Sequence, residues 1–218
     1  MSKKQLMFHG IIYLVFLIIS VLVFLVVEEG IHLMLGWNAF LAFIPISLVY
    51  AFDNKQNQKN MNVLIFLLWI FFFPNSIYLV TDLIYINKDA FIEEVSYLES
   101  LIYLRDFSSY LGFFHLLIAC LYGILTSLIS FKYFSNFINE KFPKYHLPFF
   151  IILPVLVSIG IYLGRFLRFN TWDIFNFLEL IKEVYRSLDW FAVSFILIFS
   201  LLQYLIYGFY LLFQRKII

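Results

Sequence analysis

Cysteine is almost missing from this chain of 218 residues: Cys120 stands alone, inside an apolar run. An intramolecular disulfide and a cysteine-based metal site are thereby excluded, and the thiol is read as a buried packing residue. Charge is scarce too, at 13% of residues, roughly half of what a soluble globular domain carries. No repeat, low-complexity segment or inter-domain linker is present, and no HExxH, GxSxG, Walker-type glycine loop or paired-aspartate metal motif occurs. The four histidines, His9, His32, His115 and His146, are scattered over different spans and sides, which argues against a zinc site. Nothing supports nucleic acid as a partner, and no cofactor is indicated.

What is there is apolar. Hydrophobic residues make up 63% of the chain and aromatics 22%, with 29 Phe and 15 Tyr. They are gathered into runs of about twenty residues, the length a helix needs to cross a hydrocarbon core of roughly 30 Å. Six such spans are expected, at about 6–27, 32–52, 61–82, 108–131, 147–167 and 188–213. Residues 1–218 are read as a single integral membrane domain, because nothing between the spans is long enough to fold alone. The expected fold class is all-α, a polytopic transmembrane helical bundle. Met1-Ser2-Lys3-Lys4 resembles the positive end of a signal peptide, but the apolar run that follows is too long and lacks a cleavage site. It is read as a retained first helix.

Basic residues near span ends set the expected orientation. The side bearing both termini holds nine Lys and Arg and two acidic residues, a net charge of +7. The other side holds six basic and twelve acidic residues, a net charge of −6. The termini are therefore expected in the cytoplasm, and the protein in the cell membrane. Lys141 and Lys144 form a modest basic patch suited to anionic lipid heads.

Two outer segments carry helical periodicity. Phe91, Val95, Leu98 and Ile102 recur at three- and four-residue spacing between 90 and 106, and Ile174, Phe177, Leu178, Ile181, Val184, Tyr185 and Leu188 do so between 174 and 188. Both are expected to be amphipathic helices lying in the interface on the outer side.

The unusual polar residues collect on that outer side. Asn75, Tyr78 and Asp82 stand at i, i+3 and i+7 after Pro74, on one face of a continuous helix, with Thr81 beside them. Pro74 removes a backbone donor and favours a kink. At the end of the fifth span come Arg165, Arg168, Asn170, Trp172 and Asp173, and the second span brings Asn38. Two arginines at an outer span end call for carboxylate partners, and Asp82 is the natural one. In the fourth span Ser108, Gly112 and His115 share a face. Asp82 and His115 are the candidate catalytic groups. Asn38, Asn75, Tyr78, Thr81, Arg165, Arg168, Asn170, Trp172 and Asp173 are candidate binding residues. The bland alternatives stand beside them: an Asp82–Arg165 or Asp82–Arg168 pair that only locks helices, an Asn75 that satisfies backbone groups freed by Pro74, and Asn170 with Asp173 as a helix cap.

The segments Gly36–Pro45, Phe73–Leu83 and Gly160–Asp173 resemble the signature blocks of a bacterial membrane-protein family known only as a domain of unknown function. That family usually shows a His where this chain has Tyr85 and a Trp where it has Phe169. The resemblance implies a membrane bundle of this size and implies no activity.

Three functions remain open. One is an enzyme or binding protein for an anionic lipid, a lipid-linked molecule or an envelope substrate, with an outward-facing pocket. Another is a small transporter or channel subunit. The third is an accessory protein whose polar cluster only fixes helix packing.

Overall fold

The computed structural model describes residues 1–54, 59–95, 100–169, 182–183 and 185–215. Among the described residues the framework is seven helices: α1 (Lys3–Val27), α2 (Ile31–Asn54), α3 (Lys59–Phe72), α4 (Pro74–Tyr78), α5 (Phe107–Lys141), α6 (Pro143–Phe166) and α7 (Trp190–Arg215). Six segments are long and apolar enough to cross a membrane, with α3, α4 and the turn after them counted together as 61–85. This is a multi-pass, all-α membrane bundle. With six crossings, the start of α1 and the end of α7 lie at one end, and the α1–α2 turn, the segments 86–95 and 100–106 and the end of α6 lie at the far end.

The helices begin and end for local reasons. The Ser2 side chain accepts from the Gln5 N–H while Gln5 reaches back to the Ser2 N–H, so both orphan donors at the start of α1 are satisfied. At the close of α1, Glu28 takes a left-handed conformation at φ 60° and donates its N–H to the Phe24 carbonyl. Arg168 does the same work after α6 at φ 58°, and the N–H of Phe169 reaches the Leu163 carbonyl at 3.1 Å.

Most exposed side chains are apolar, including Ile11, Ile18, Leu22, Leu197, Leu201 and Leu205. Hydrocarbon accepts that surface at no cost, so burial between helices follows shape instead of hydrophobicity. Small residues accordingly mark the seams. Ala39, Ala42 and Ala119 have no exposed surface, and Gly123 of α5 lies directly against the 76–79 backbone. Toward the terminal end the seam is aromatic: Trp69, Phe73, Phe131, Phe134 and Tyr207 are fully buried. There the Trp69 indole donates to Ser130 and Phe131 stacks on Tyr207 at 4.3 Å.

Polar clamps join the last two spans. Gln203 donates to the Pro154 carbonyl at 3.1 Å and to Ser158 at 2.9 Å, and Ser200 donates to Ser158 at 2.9 Å. Interhelical bonds of this kind contribute on the order of 0.6 kcal/mol each inside a membrane. Aromatic residues, among them Trp37, Tyr103, Phe107, Tyr185 and Trp190, stand exposed toward the far end, as expected of an interfacial belt.

One expectation is overturned. The segment 90–106 is not an amphipathic helix. It contains a hairpin, strand β1 (Ile92–Val95) antiparallel to β2 (Ser100–Tyr103), with Ile92 opposite Tyr103 and Val95 opposite Ser100. The Leu104 N–H closes its base on the Phe91 carbonyl at 2.8 Å. The three- and four-residue spacing ran across a chain reversal, which resets the phase of any periodicity, and Ile, Val and Tyr favour strands. The second expected interfacial helix lies largely outside the described residues, although 182–183 and 185–187 are helical.

Candidate functional site at the far end of the bundle

Pro74 ends α3 because it has no N–H to donate and fits the first turn of α4. The N–H of Ser76 bonds the Phe73 carbonyl, so the Phe72 carbonyl is left for the Asn75 amide, which donates to it at 3.1 Å. Asn75 is thus committed to repairing the break and takes no part in the cluster below.

Beyond α4 the chain tightens into a 3₁₀ helix from Leu79 to Tyr85. This corrects the expected helix face. At about three residues per turn, side chains at i and i+3 eclipse. Tyr78 stands in one column with Thr81, and Asp82 in the adjacent column with Tyr85.

Arg165, at the last turn of α6, straddles both columns. Its guanidinium donates to Thr81 Oγ1 through Nη2 at 2.6 Å and through Nε at 3.2 Å. It donates to the Tyr85 hydroxyl at 3.3 Å and pairs with Asp82 Oδ1. The Tyr78 ring lies 4.6 Å from it and the Tyr85 ring 5.5 Å, both within cation–π range. Asn38 of α2 donates to the second Asp82 oxygen at 3.1 Å. Three spans therefore meet in one node.

The node is dry. Asp82 has 1% of its side chain exposed and Arg165 9%. Arg168 is exposed and left-handed; it is Arg165 that takes Asp82. Asn170, Trp172 and Asp173 lie outside the described residues.

His115 sits elsewhere. It belongs to a second cluster with His32 and Ser20, and that meeting was not foreseen: the histidines are not scattered, since two of them touch. Ser20 Oγ donates to the Phe16 carbonyl at 2.9 Å. Ser20 Oγ also lies 3.0 Å from His115 Nε2, and His115 Nδ1 lies 3.0 Å from His32 Nδ1. The tautomer of each ring sets which atom donates on these two contacts. His32 Nε2 is buried and without a hydrogen-bond partner. Among the described residues no group of three or more metal-ligating side chains occurs, so the pair does not make a metal centre.

A small cleft of about 70 Å³ reaches this second cluster from the far end. His32, Gly112, Ser108, Ser109, Tyr85 and Asn87 are on its wall. A Cβ on Gly112 would come within 3.2 Å of His32 Nε2, so the glycine is what lets the imidazole pack against α5. The hairpin leans on the same place: Phe91 packs on Tyr110 at 5.3 Å and on Phe113 at 5.7 Å, edge to face. Tyr85 belongs to both clusters, accepting from Arg165 and lining the cleft.

The start of α5 is held by Asp106. One of its carboxylate oxygens accepts the Ser108 hydroxyl at 2.6 Å, the Ser109 hydroxyl at 2.6 Å and the Ser109 N–H at 2.8 Å. These bonds, the Ser108 hydroxyl foremost, favour the ionised form and hold the carboxyl at about 2. An unfolded Asp titrates near roughly 3.9. The cap therefore contributes fully above that value and is lost as pH falls from there toward about 2. The protection of the Ser109 amide proton, taken relative to its intrinsic exchange rate at each pH, should fall over that window, and Asp106→Ala should remove that change.

His32, Ser20, Ser109 and Tyr85 were missed as site residues by sequence reasoning. The local hint was the face that Ser108, Gly112 and His115 share on the fourth span.

No curated protein and no solved structure matches this chain. Residues 37–206 match the family described as "Protein of unknown function (DUF1361)", a span that runs from the second helix into the last and takes in Asp82, Arg165 and His115. With that much of its length matched, the chain belongs to the DUF1361 family of unknown function.

Proposed function

We propose that this is a cytoplasmic-membrane protein, with both termini inside, that binds the polar head of a lipid or lipid-linked envelope molecule in the cleft at its outer end. The orientation rests on the net +7 at the terminal end against −6 at the far end. Reporter fusions after Phe52 and Ala90 should report opposite sides, the first cytoplasmic.

The carrying observation is the position of Tyr85. It joins the buried Asp82–Arg165 pair to a cleft lined by His32, Ser108 and Ser109. A framework of this sort positions a binding site accurately because its own side chains are already committed. Asp82 as acid–base group and Arg165 as anion clamp fit less well, since Asp82 is closed off and the Arg165 guanidinium already serves three partners. An anionic portion of the molecule would instead meet Arg168, which is exposed.

Burial of the pair also favours a second reading, an accessory protein in which the node only locks α6 to the 3₁₀ segment. Ala90→Trp separates the two. Ala90 lines the cleft, so the indole fills it while Asp82, Asn38 and Arg165 stay unsubstituted. Native mass spectrometry of protein purified with its lipids should show a retained lipid that this variant loses. Equal retention by a folded variant would leave the accessory reading.

A further inference from the structure

His32 and His115 are buried, at 1% and 2% exposed, and they meet through like atoms. Their Nδ1 nitrogens stand 3.0 Å apart. A contact of that length between two ring nitrogens needs one hydrogen between them, whichever ring carries it. An imidazolium has a hydrogen on both of its nitrogens. Two imidazolium rings would therefore set two hydrogens and two positive charges against each other. The pair in contact holds one added proton at most, whereas the same rings apart can hold two.

The pair is also where α5 meets both α1 and α2. His115 stacks on Phe16 at 5.0 Å and lies 3.0 Å from Ser20. His32 packs on Gly112 and shares the cleft wall with Val27 and Glu29, so rings that part take that wall with them. Deeper in α2, Asn38 is held by Asp82 at 3.1 Å, a fixed point about which the far end of α1 and α2 can swing.

The groups around the pair do not cancel a second charge. From α1 it is faced by Phe16 and Ser20, both neutral. From the α1–α2 turn the exposed Glu29 acts on His32 and can balance one positive ring but not two. On α5 Asp106 is taken up by Ser108 and Ser109. On the 3₁₀ segment Asp82 is taken up by Arg165, and Tyr85 stands across the cleft.

The geometry points to an acid-operated contact: below neutral pH the His32–His115 pair takes up protons and parts, and the cleft at the far end widens. The sign follows from proton count. The parted rings bind more protons than the contact, so lowering the pH favours parting. An unperturbed imidazole titrates near roughly 6.5, and below that value a difference of one proton shifts the balance about tenfold per pH unit. This holds whatever the cleft binds.

The test uses the full chain in phosphatidylcholine nanodiscs, titrated from about pH 8 to about pH 5, either side of that value. ¹⁵N imidazole spectra should show coupling across the hydrogen bond between the two Nδ1 atoms at the upper end, and two charged, uncoupled rings at the lower. Nitroxides on Val26→Cys and Phe107→Cys, exposed positions near the far ends of α1 and α5, leave the buried Cys120 unlabelled. They should move apart over the same window, the ratio of long to short distances rising about tenfold per pH unit. His115→Gln keeps a hydrogen-bonding side chain that takes up no proton, and it should abolish the pH dependence; His32→Gln should do the same. Coupling that survives at the lower end, a distance that does not change, or a change that persists in a folded glutamine variant overturns the proposal. Should neither variant fold, the wild-type titration decides, because opening while both rings are still neutral would also overturn it.

Discussion

Asp82→Ala is expected to destabilise the bundle by about 3–5 kcal/mol, the cost of leaving a buried charge without its partner. Arg165 would keep its two bonds to Thr81 and the tyrosine rings on either side, but no anion would remain against its Nη2. Arg165→Gln should cost a similar amount by stranding Asp82, whose only other described partner is Asn38. The double variant Asp82→Ala with Arg165→Gln removes both charges and should recover much of the loss, because a neutral pair imposes a smaller desolvation demand. Asn38→Ala should cost less, about 1 kcal/mol, since it removes one hydrogen bond and leaves the ion pair. Thermal unfolding of each variant in nanodiscs supplies the measurement. Strictly additive losses in the double variant would show that Asp82 and Arg165 are not coupled and that the node is not a lock.

Gly123→Ala should be the most damaging conservative change on α5. A Cβ there would lie 2.4 Å from the Ser76 carbonyl oxygen and 2.9 Å from the Leu79 Cβ. The first of these is backbone and the second is attached directly to it, so neither can rotate aside. Overpacking of this kind costs about 1–3 kcal/mol or more, which exceeds the roughly 0.5–1 kcal/mol that alanine gains over glycine in a helix. The consequence extends past stability. Residues 76–79 lead straight into the 3₁₀ segment that carries Thr81, Asp82 and Tyr85, so displacing them should loosen the Arg165 node and the cleft together. Gly208→Ala is the control: nothing lies within 4 Å of a Cβ at that position, and the change should be neutral or slightly stabilising. If both glycine variants melt alike, the α5 seam is not the constraint that the geometry indicates.

The amino-acid sequence by itself determined the class of fold. A hydrocarbon solvent demands long apolar helices whose backbone groups are satisfied internally, and that demand is written into composition and run length. Six spans were therefore legible, as was the gathering of Asn38, Asp82 and Arg165 on one side, because an ionisable group inside a membrane helix is conspicuous wherever it falls. What the tertiary structure alone decided was geometry on the scale of single side chains. A 3₁₀ winding cannot be told from an α-helix by hydrophobic periodicity over seven residues, yet it sets Asp82 and Tyr85 in one column and Tyr78 and Thr81 in the next. The hairpin at 92–103 was masked by a spacing that also fits a helix. His32 and His115 are 83 positions apart, and no local pattern announces that two helices will bring them into contact. The same is true of the Ser20–His115–His32 chain, which draws on three helices and leaves His32 Nε2 buried without a partner, because only packing brings those helices together.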